Sequence, residues 1–350
     1  MHHAVAAGIE PENVVGLLRR HGRDTAGVLI FTRDDEVALD TTAYRVLSDA
    51  DVRDRLREVA AVMGPVGLQS ISLAGMIPKI GLTKTCQGAW AETGEGAAST
   101  WILKVAHKAD TPAADVVDTE VLCLHLAKSL RLTDVDAALL HFGDVRAIAV
   151  SRYDRVVEAD GSVSRIHQED LAQAIGLNTA DPARKFQRGT LTPSWKHAAA
   201  VLRAGDGRLS PLARLVCFTF LVGNTDHHAK NTSFLRHADN TATLAPAYDI
   251  AAHLHHPGVH QSALDFAGER NFATLTIEHV QREVESWEVS PSQAFAAVFD
   301  VTTKLRAALT SAERSSYPGV SEHAWSVLIQ RVETAYARLS VTVDESISTR

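Results

Sequence analysis

Apolar positions in the first part of the chain fall into short runs that suit strands. Ala26–Thr32 (A-G-V-L-I-F-T) reads as one strand and Tyr44–Ser48 as another. Asp49–Val62 then takes helical spacing behind Ser48 or Asp49, residue types that cap helix starts. Past Gly64-Pro65, Lys79–Thr85 and Thr100–Val105 read as strands on either side of a Gly/Ala/Ser-rich turn at Gly94–Ser99. Ala113–Leu130 predicts an amphipathic helix with Val117, Val121 and Leu124 on its apolar face. Two more strands, Ala137–Phe142 and Ala147–Tyr153, are joined by a Gly143-Asp144 turn.

Beyond about residue 156 the periodicity changes to that of helices and long loops. Gln168–Ile175, Ser194–Ala204, Pro211–Val222, Ile277–Val284, Pro291–Ala308 and His323–Leu339 carry helical spacing, with short strand-like pieces at Thr232–Arg236 and Thr243–Leu244. A β-rich first part followed by a helical second part predicts a bilobal α+β protein, with a β-rich N-lobe and a helical C-lobe. No internal repeat or low-complexity tract interrupts this order, and Asp344–Arg350 is expected to fray.

Composition narrows the class. The 350 residues suffice for a large core, and 45% hydrophobic and 22% charged residues are ordinary for a soluble globular protein. A formal charge of -7 gives no global reason for nucleic-acid binding. Cys86, Cys123 and Cys217 are odd in number and far apart, which suits reduced thiols in a cytoplasm. No apolar stretch approaches the roughly 18 residues of a membrane span, so a cytoplasmic protein with no membrane partner is expected.

The chemistry concentrates in Phe220–Asn231, F-L-V-G-N-T-D-H-H-A-K-N, where an apolar run ends at Gly223. Asp226 and Asn231 stand at the D-x-x-x-x-N spacing of a protein-kinase catalytic loop. Phosphoryl transfer wants an aspartate to orient a hydroxyl and an amide oxygen to help hold a metal ion. It also wants a strand lysine for the nucleotide phosphates, a loop over them and a second metal carboxylate. Lys104 in W-I-L-K-V is the strand candidate, although an edge-strand lysine reaching out to water would look the same. Asp249, a short hairpin after Asn231, is the carboxylate candidate, and a turn aspartate is its blander reading. Gln69–Lys79 (Q-S-I-S-L-A-G-M-I-P-K) is a hydroxyl-rich turn able to cradle phosphate.

Taken in order, S-I-S-L-A-G-M-I-P-K, W-I-L-K, H-L-A-K-S-L, A-I-A-V-S-R-Y-D-R, I-H-Q-E-D, G-N-T-D-H-H-A-K-N and L-A-P-A-Y-D-I resemble the HipA family. These are serine/threonine kinase toxins of bacterial toxin–antitoxin modules, and the resemblance runs from about residue 64 to 255. It implies a protein-kinase-like HipA fold, with residues 1–63 as a remnant of an N-terminal subdomain, 64–155 as the kinase N-lobe and 156–350 as the C-lobe. It implies ATP and Mg²⁺ as cofactors, with Lys104 on the ATP phosphates and Glu120 as the helix acid near it. Asp226 becomes the catalytic base, His228 and Lys230 approach the phosphates, and Asn231 and Asp249 hold Mg²⁺. Ser72, Ala74 and Gly75 belong to the ATP loop, and Arg152 and Tyr153 to a hinge (Val150–Tyr153) whose backbone reads adenine. Gln168, Glu169 and Asp170 match a signature that shapes the crevice. Autophosphorylation at Ser70 or Ser72 would eject the loop and act as an off-switch.

The resemblance further implies a protein substrate in the translation machinery, an aminoacyl-tRNA synthetase first. It also implies a HipB-like DNA-binding antitoxin, through which any DNA contact would be indirect. Two departures stand out. Ile77 occupies a position that is usually polar in the family, and the N-terminal subdomain is short. The second feature is similar to the split HipT variant, whose missing piece would be a small HipS-like protein. Three other readings stay in view. A catalytically weak scaffold or co-repressor could keep the same residues. A small-molecule kinase of aminoglycoside type shares the base and metal residues. A metal hydrolase is suggested by His253, His255, His256 and His260, downstream of His227 and His228, although their spacing fits no standard zinc signature.

Overall fold

The computed structural model describes residues 13, 15–16, 18, 22–32, 44–63, 77–93, 97–106, 114–189 and 192–348. Its contacts separate two compact units, one of residues 1–108 and 135–168, the other of residues 109–134 and 169–350. Ser70, Ser72, Ala74 and Gly75 lie outside the described residues.

The first unit is built on a six-stranded antiparallel sheet. Its strands are β1 (Tyr44–Val46), β2 (Lys79–Lys84), β3 (Trp90–Thr93), β4 (Trp101–Val105), β5 (Ala137–Phe142) and β6 (Val145–Ser151), in the order β1-β3-β2-β4-β6-β5. Helix α1 (Asp49–Met63) covers one face: Val52, Leu56 and Val59 pack with Leu82, Leu103, Phe142 and Ala147 into one core. The β5–β6 hairpin turns at Gly143, whose φ of 63° is left-handed and suits a residue without Cβ. A small hairpin follows, β7 (Arg155–Val157) with β8 (Val163–Arg165).

Ala26–Thr32, expected as a strand, forms none. Side chains take several of its backbone groups instead of a ladder, and Phe31 N–H donates to Gly22 O at 2.9 Å. Gly27 N–H donates to the Asp154 carboxylate at 2.9 Å, and Arg155 Nη1 donates to Gly27 O at 3.1 Å. Arg152 Nη2 donates to Thr25 O at 3.2 Å. The apolar pattern suits a strand, but a buried arginine–aspartate network takes these hydrogen bonds in the folded protein.

In the second unit, helix α2 (Val116–Ser129) places Leu122, Cys123, Leu126 and Ala127 in a large helical core. The expected apolar positions Val117, Val121 and Leu124 are buried as well, so the helix is covered nearly all round. Strand β9 (Gln168–Asp170) leads into the one-turn helix α3 (Leu171–Ala174). A longer helix is expected over 168–175, but Asp170 is extended (ψ 163°) and closes a capping box with Gln173, so the helix begins only after it. Helices α4 (Trp195–Ala204) and α5 (Ser210–Val222) precede a hairpin of β10 (Ser233–Arg236) and β11 (Ala242–Leu244), which joins β9 in a three-stranded sheet. A second hairpin, β12 (Gln261–Phe266) with β13 (Glu269–Asn271), was hidden among polar residues in the sequence. Helices α6 (Ile277–Glu285), α7 (Pro291–Ser311) and α8 (Glu322–Ser348) complete the core through Val284, Val298, Val301, Leu328 and Val332. Among the described residues no helix is long and apolar enough to cross a membrane. Cys123 and Cys217 are buried free thiols and Cys86 is exposed.

Candidate active site

Helix α5 stops at Gly223 because that residue is left-handed (φ 69°), with its N–H and that of Asn224 returning to Phe220 O and Thr219 O. A Cβ there would stand 2.6 Å from Leu254 Cγ. Gly223→Ala is therefore expected to lose about 1–3 kcal/mol of stability through strain and crowding. Equilibrium unfolding in urea checks this, and an unchanged midpoint would refute it.

The loop beyond Gly223 is held by its own polar side chains. Asn224 Oδ1 accepts the N–H of Asp226 at 3.0 Å, a local turn that aims the aspartate outward. Thr225 N–H donates to His253 Nδ1 at 3.1 Å, tying the loop to the segment after Asp249. His227 is a core residue: it contacts Thr219 and Thr232 hydroxyls at 3.3 and 2.9 Å and packs on Trp195. His228 Nδ1 accepts the N–H of Lys230, starting the 3-10 turn Ala229–Asn231, while Phe186 meets its ring edge-on. Burial pushes the His227 and His228 pKa values down to about 4 and about 3, so both rings are neutral at pH 7. The 3.9 Å approach of His228 Nε2 to Asp226 is accordingly not an ion pair.

Asn231 is buried and its Nδ2 donates to the Asp226 carbonyl at 3.0 Å, which leaves Oδ1 as the atom for a ligand. Asp249 is held at φ 54°, a left-handed conformation rare for a side chain with Cβ and characteristic of functional positions. The β10–β11 hairpin returns the chain to it, and Tyr248 locks the approach by donating to Lys230 O at 2.8 Å.

The Asp226 carboxylate is 57% exposed, yet the protein around its other sides displaces enough water to change its titration. Desolvation raises its pKa, Lys185 lowers it and Asp249 raises it again, leaving it pushed up to about 6. Lys185, at the end of the 3-10 turn Pro182–Lys185, is pulled down by burial and held up by Asp226 and Asp249. Sequence reasoning missed this lysine. It precedes the aromatic Phe186 in R-K-F-Q-R, and no standard spacing links it to Asp226.

The other expected site residues are divided between the two units. Lys230 Nζ bonds Asp170 at 2.8 Å and Glu169 bonds Arg236 at 2.8 Å, so two residues of the Q-E-D signature brace the loop. Gln168 accepts from the Tyr153 hydroxyl at 2.8 Å in the first unit. The Arg152 guanidinium is 1% exposed and consumed by Asp24, Asp154, Ser99 and Thr25. Its backbone N–H donates to Thr100 O at 2.8 Å, so neither that group nor the side chain is available to a nucleotide. Lys104 is buried on β4 between β2 and β6, opposite Lys79 and Ile148, which removes the edge-strand reading. Glu120 is buried on α2 in the second unit.

The donor set fits a hard, oxygen-preferring cation. The Asn231 amide oxygen and the Asp249 carboxylate belong to one loop-and-hairpin, and Asp249 and Asp226 repel each other enough to show in the titration of Asp226.

Comparison with known proteins settles the family. Residues 71–309 match the family described as HipA-like C-terminal domain. The chain belongs to that family. A Sinorhizobium fredii protein named "Putative kinase Y4mE" is 29% identical over 332 residues, covering 86% of this HipA-like chain and 76% of its own. The Shewanella oneidensis serine/threonine-protein kinase toxin HipA is 27% identical over 261 residues, 70% of this chain and 58% of that one. The fold agrees with that of HipA from the Shewanella oneidensis MR-1 complex of HipA, HipB and operator DNA. Its TM-score is 0.79 at 21% identity, over 96% of this chain and 82% of the other. The fold class is therefore α+β and HipA-like.

Proposed function

We propose that this HipA-like chain is an ATP-dependent serine/threonine protein kinase of a toxin–antitoxin module. The observation that carries the reading is the joint placement of Asp226, Asn231 and Asp249. The first two lie on one self-braced loop, and Asp249 is held in a strained backbone conformation at the end of the next hairpin. Asp226 accepts the proton of the attacking hydroxyl and orients its oxygen. A pKa of about 6 leaves it ionised at neutral pH and more basic than an ordinary carboxylate. Lys104 is assigned to the nucleotide phosphates, and Lys185 adds positive charge beside Asp226 and Asp249. Asn231 and Asp249 are assigned to Mg²⁺, which when bound neutralises charge on the phosphates.

The names of the relatives support the kinase class. The complex containing HipB and operator DNA supports a HipB-like antitoxin partner, and an indirect DNA contact through that partner follows from the resemblance. An aminoacyl-tRNA synthetase as substrate, a small HipS-like partner, and autophosphorylation at Ser70 or Ser72 rest on the family resemblance alone. Incubating the purified chain with Mg·ATP and mapping phosphate by peptide mass spectrometry tests the reading. Phosphate on Ser70 or Ser72 that is absent from Asp226→Ala protein is expected. Nucleotide binding with no transfer to the chain or to any added protein would overturn it.

A further inference from the structure

The histidines after Asp249 are not absorbed by the phosphoryl-transfer reading. His253 serves the catalytic loop through Thr225, but His255 and His256 turn to the other side, toward the start of α2. Their target is Asp115. As the N-cap residue of α2, Asp115 would ordinarily spend a carboxylate oxygen on the free N–H groups of its own first turn. It makes no such side-chain bond. Instead Oδ2 accepts from His255 Nε2 at 2.7 Å and Oδ1 from His256 Nε2 at 2.8 Å. Ligand atoms of the three residues lie within 4.8 Å of one another. The two imidazoles, adjacent in sequence, lie with centroids 4.1 Å apart and planes tilted by 52°.

We propose that Asp115, His255 and His256 form a binding site for a first-row divalent cation of zinc type, which ties the start of α2 to the segment following Asp249. Two imidazoles and one carboxylate are the donors such an ion prefers, whereas Mg²⁺ asks for oxygen throughout. The His255 side chain is 6% exposed, and those of His256 and Asp115 are 19% and 20% exposed. The donors are thus sheltered, with an opening for a water molecule as fourth ligand. Neither Nδ1 has a hydrogen-bond partner among the described residues. With its proton on Nδ1, each ring can present Nε2 to the cation.

The site has a route to the catalytic loop. His256 N–H donates to His253 O at 3.0 Å, and His253 N–H donates to Gly223 O at 3.2 Å. Thr119 Oγ1 of α2 reaches Ala252 O at 3.3 Å and the Ala252 backbone also bonds Cys123, so the same segment is already fastened to the helix. A bound cation would replace two bridging hydrogen bonds with coordinate bonds and stiffen the stretch that positions Thr225 beside Asp226.

The test is a Co²⁺ titration of the full chain after chelator treatment, followed by visible d–d absorption, which reports coordination whether or not the protein transfers phosphate. One Co²⁺ per chain is expected, displaced by Zn²⁺ and not by Mg²⁺ in large excess. Affinity should fall by more than about tenfold in His256→Ala and in the isosteric Asp115→Asn, and stay unchanged in His237→Ala on the β10–β11 hairpin. Absence of d–d bands in the parent chain would show a metal-free hydrogen-bonded clamp and overturn the proposal. So would bands of equal intensity and affinity in Asp115→Asn and His256→Ala.

Discussion

Asp226→Asn protein is expected to lose phosphoryl transfer by about 10²–10⁴-fold, the usual contribution of a positioned general base. Nucleotide binding should be retained, because the substitution keeps the side-chain volume and the Asn224 turn that holds the residue. The parent protein should show the titration of the same group. Its pKa is raised to about 6, so activity should fall as pH drops through about 6, where the carboxylate takes up a proton and can no longer accept one. The stability effect of Asp226 has the opposite sense. A carboxyl whose folded pKa lies above its unfolded value favours the native state when protonated, and that advantage disappears as pH rises through about 6. Asp226→Asn should therefore be slightly more stable than the parent at pH 7, the effect being small because the carboxylate is well exposed. The neutral histidines work in the other direction. His227, His228 and His253 are pushed down to about 4, 3 and 4, chiefly by burial. The unfolded chain binds protons at these residues below about pH 6.5 while the native state refuses them, so fold stability declines from there toward pH 4. Single-turnover transfer measured alongside thermal unfolding separates the two. Asp226→Asn retaining parental turnover would remove Asp226 from the mechanism.

Asp249→Asn should be the more damaging change for nucleotide binding. Asparagine tolerates the left-handed backbone that Asp249 adopts at φ 54°, so the hairpin and the Tyr248 anchor should survive. What goes is the negative charge that, with the Asn231 oxygen, is assigned to Mg²⁺. The expected result is a loss of Mg²⁺-dependent ATP affinity of about 10-fold or more, and a fall in transfer of at least about 10²-fold. Calorimetric titration of ATP with and without Mg²⁺ is the direct check. The same substitution relieves the repulsion on Asp226, so the acid limb of any residual activity should move to lower pH. Equal ATP affinity for parent and variant in Mg²⁺ would defeat the assignment.

The D-x-x-x-x-N pair was legible because its chemistry is local. Five residues of chain and one backbone-directed amide are enough to fix Asp226 relative to Asn231. Asp249 could be placed nearby because the β10–β11 strands that return the chain to it announce themselves in sequence. The core helices were legible for a similar reason: a helix must bury a stripe, and the stripe at Ser210–Val222 or Pro291–Ser311 repeats within a few residues. Arg152 shows where this logic stops. Its neighbourhood in A-V-S-R-Y-D-R resembles a hinge whose backbone reads adenine, and nothing in it announces that the guanidinium turns inward to Asp24 and Asp154. No spacing along the chain reveals that a residue near position 24 will supply the second carboxylate.

Hydrophobic periodicity, capping residues and short motifs determined by themselves the α+β class, most helices, the sheet strands β2, β4, β5 and β6 and the D-x-x-x-x-N spacing of the loop, while β3 (Trp90–Thr93) went unread. Each depends on neighbours a turn or two away. Tertiary structure alone decided the rest. It denied Ala26–Thr32 a ladder and grouped α2 with the second core. It also set Lys185 against the two aspartates and aimed Asp115 at His255 and His256. These outcomes depend on which distant groups desolvate or neutralise one another once the chain has closed, and that information is carried by the packed protein as a whole.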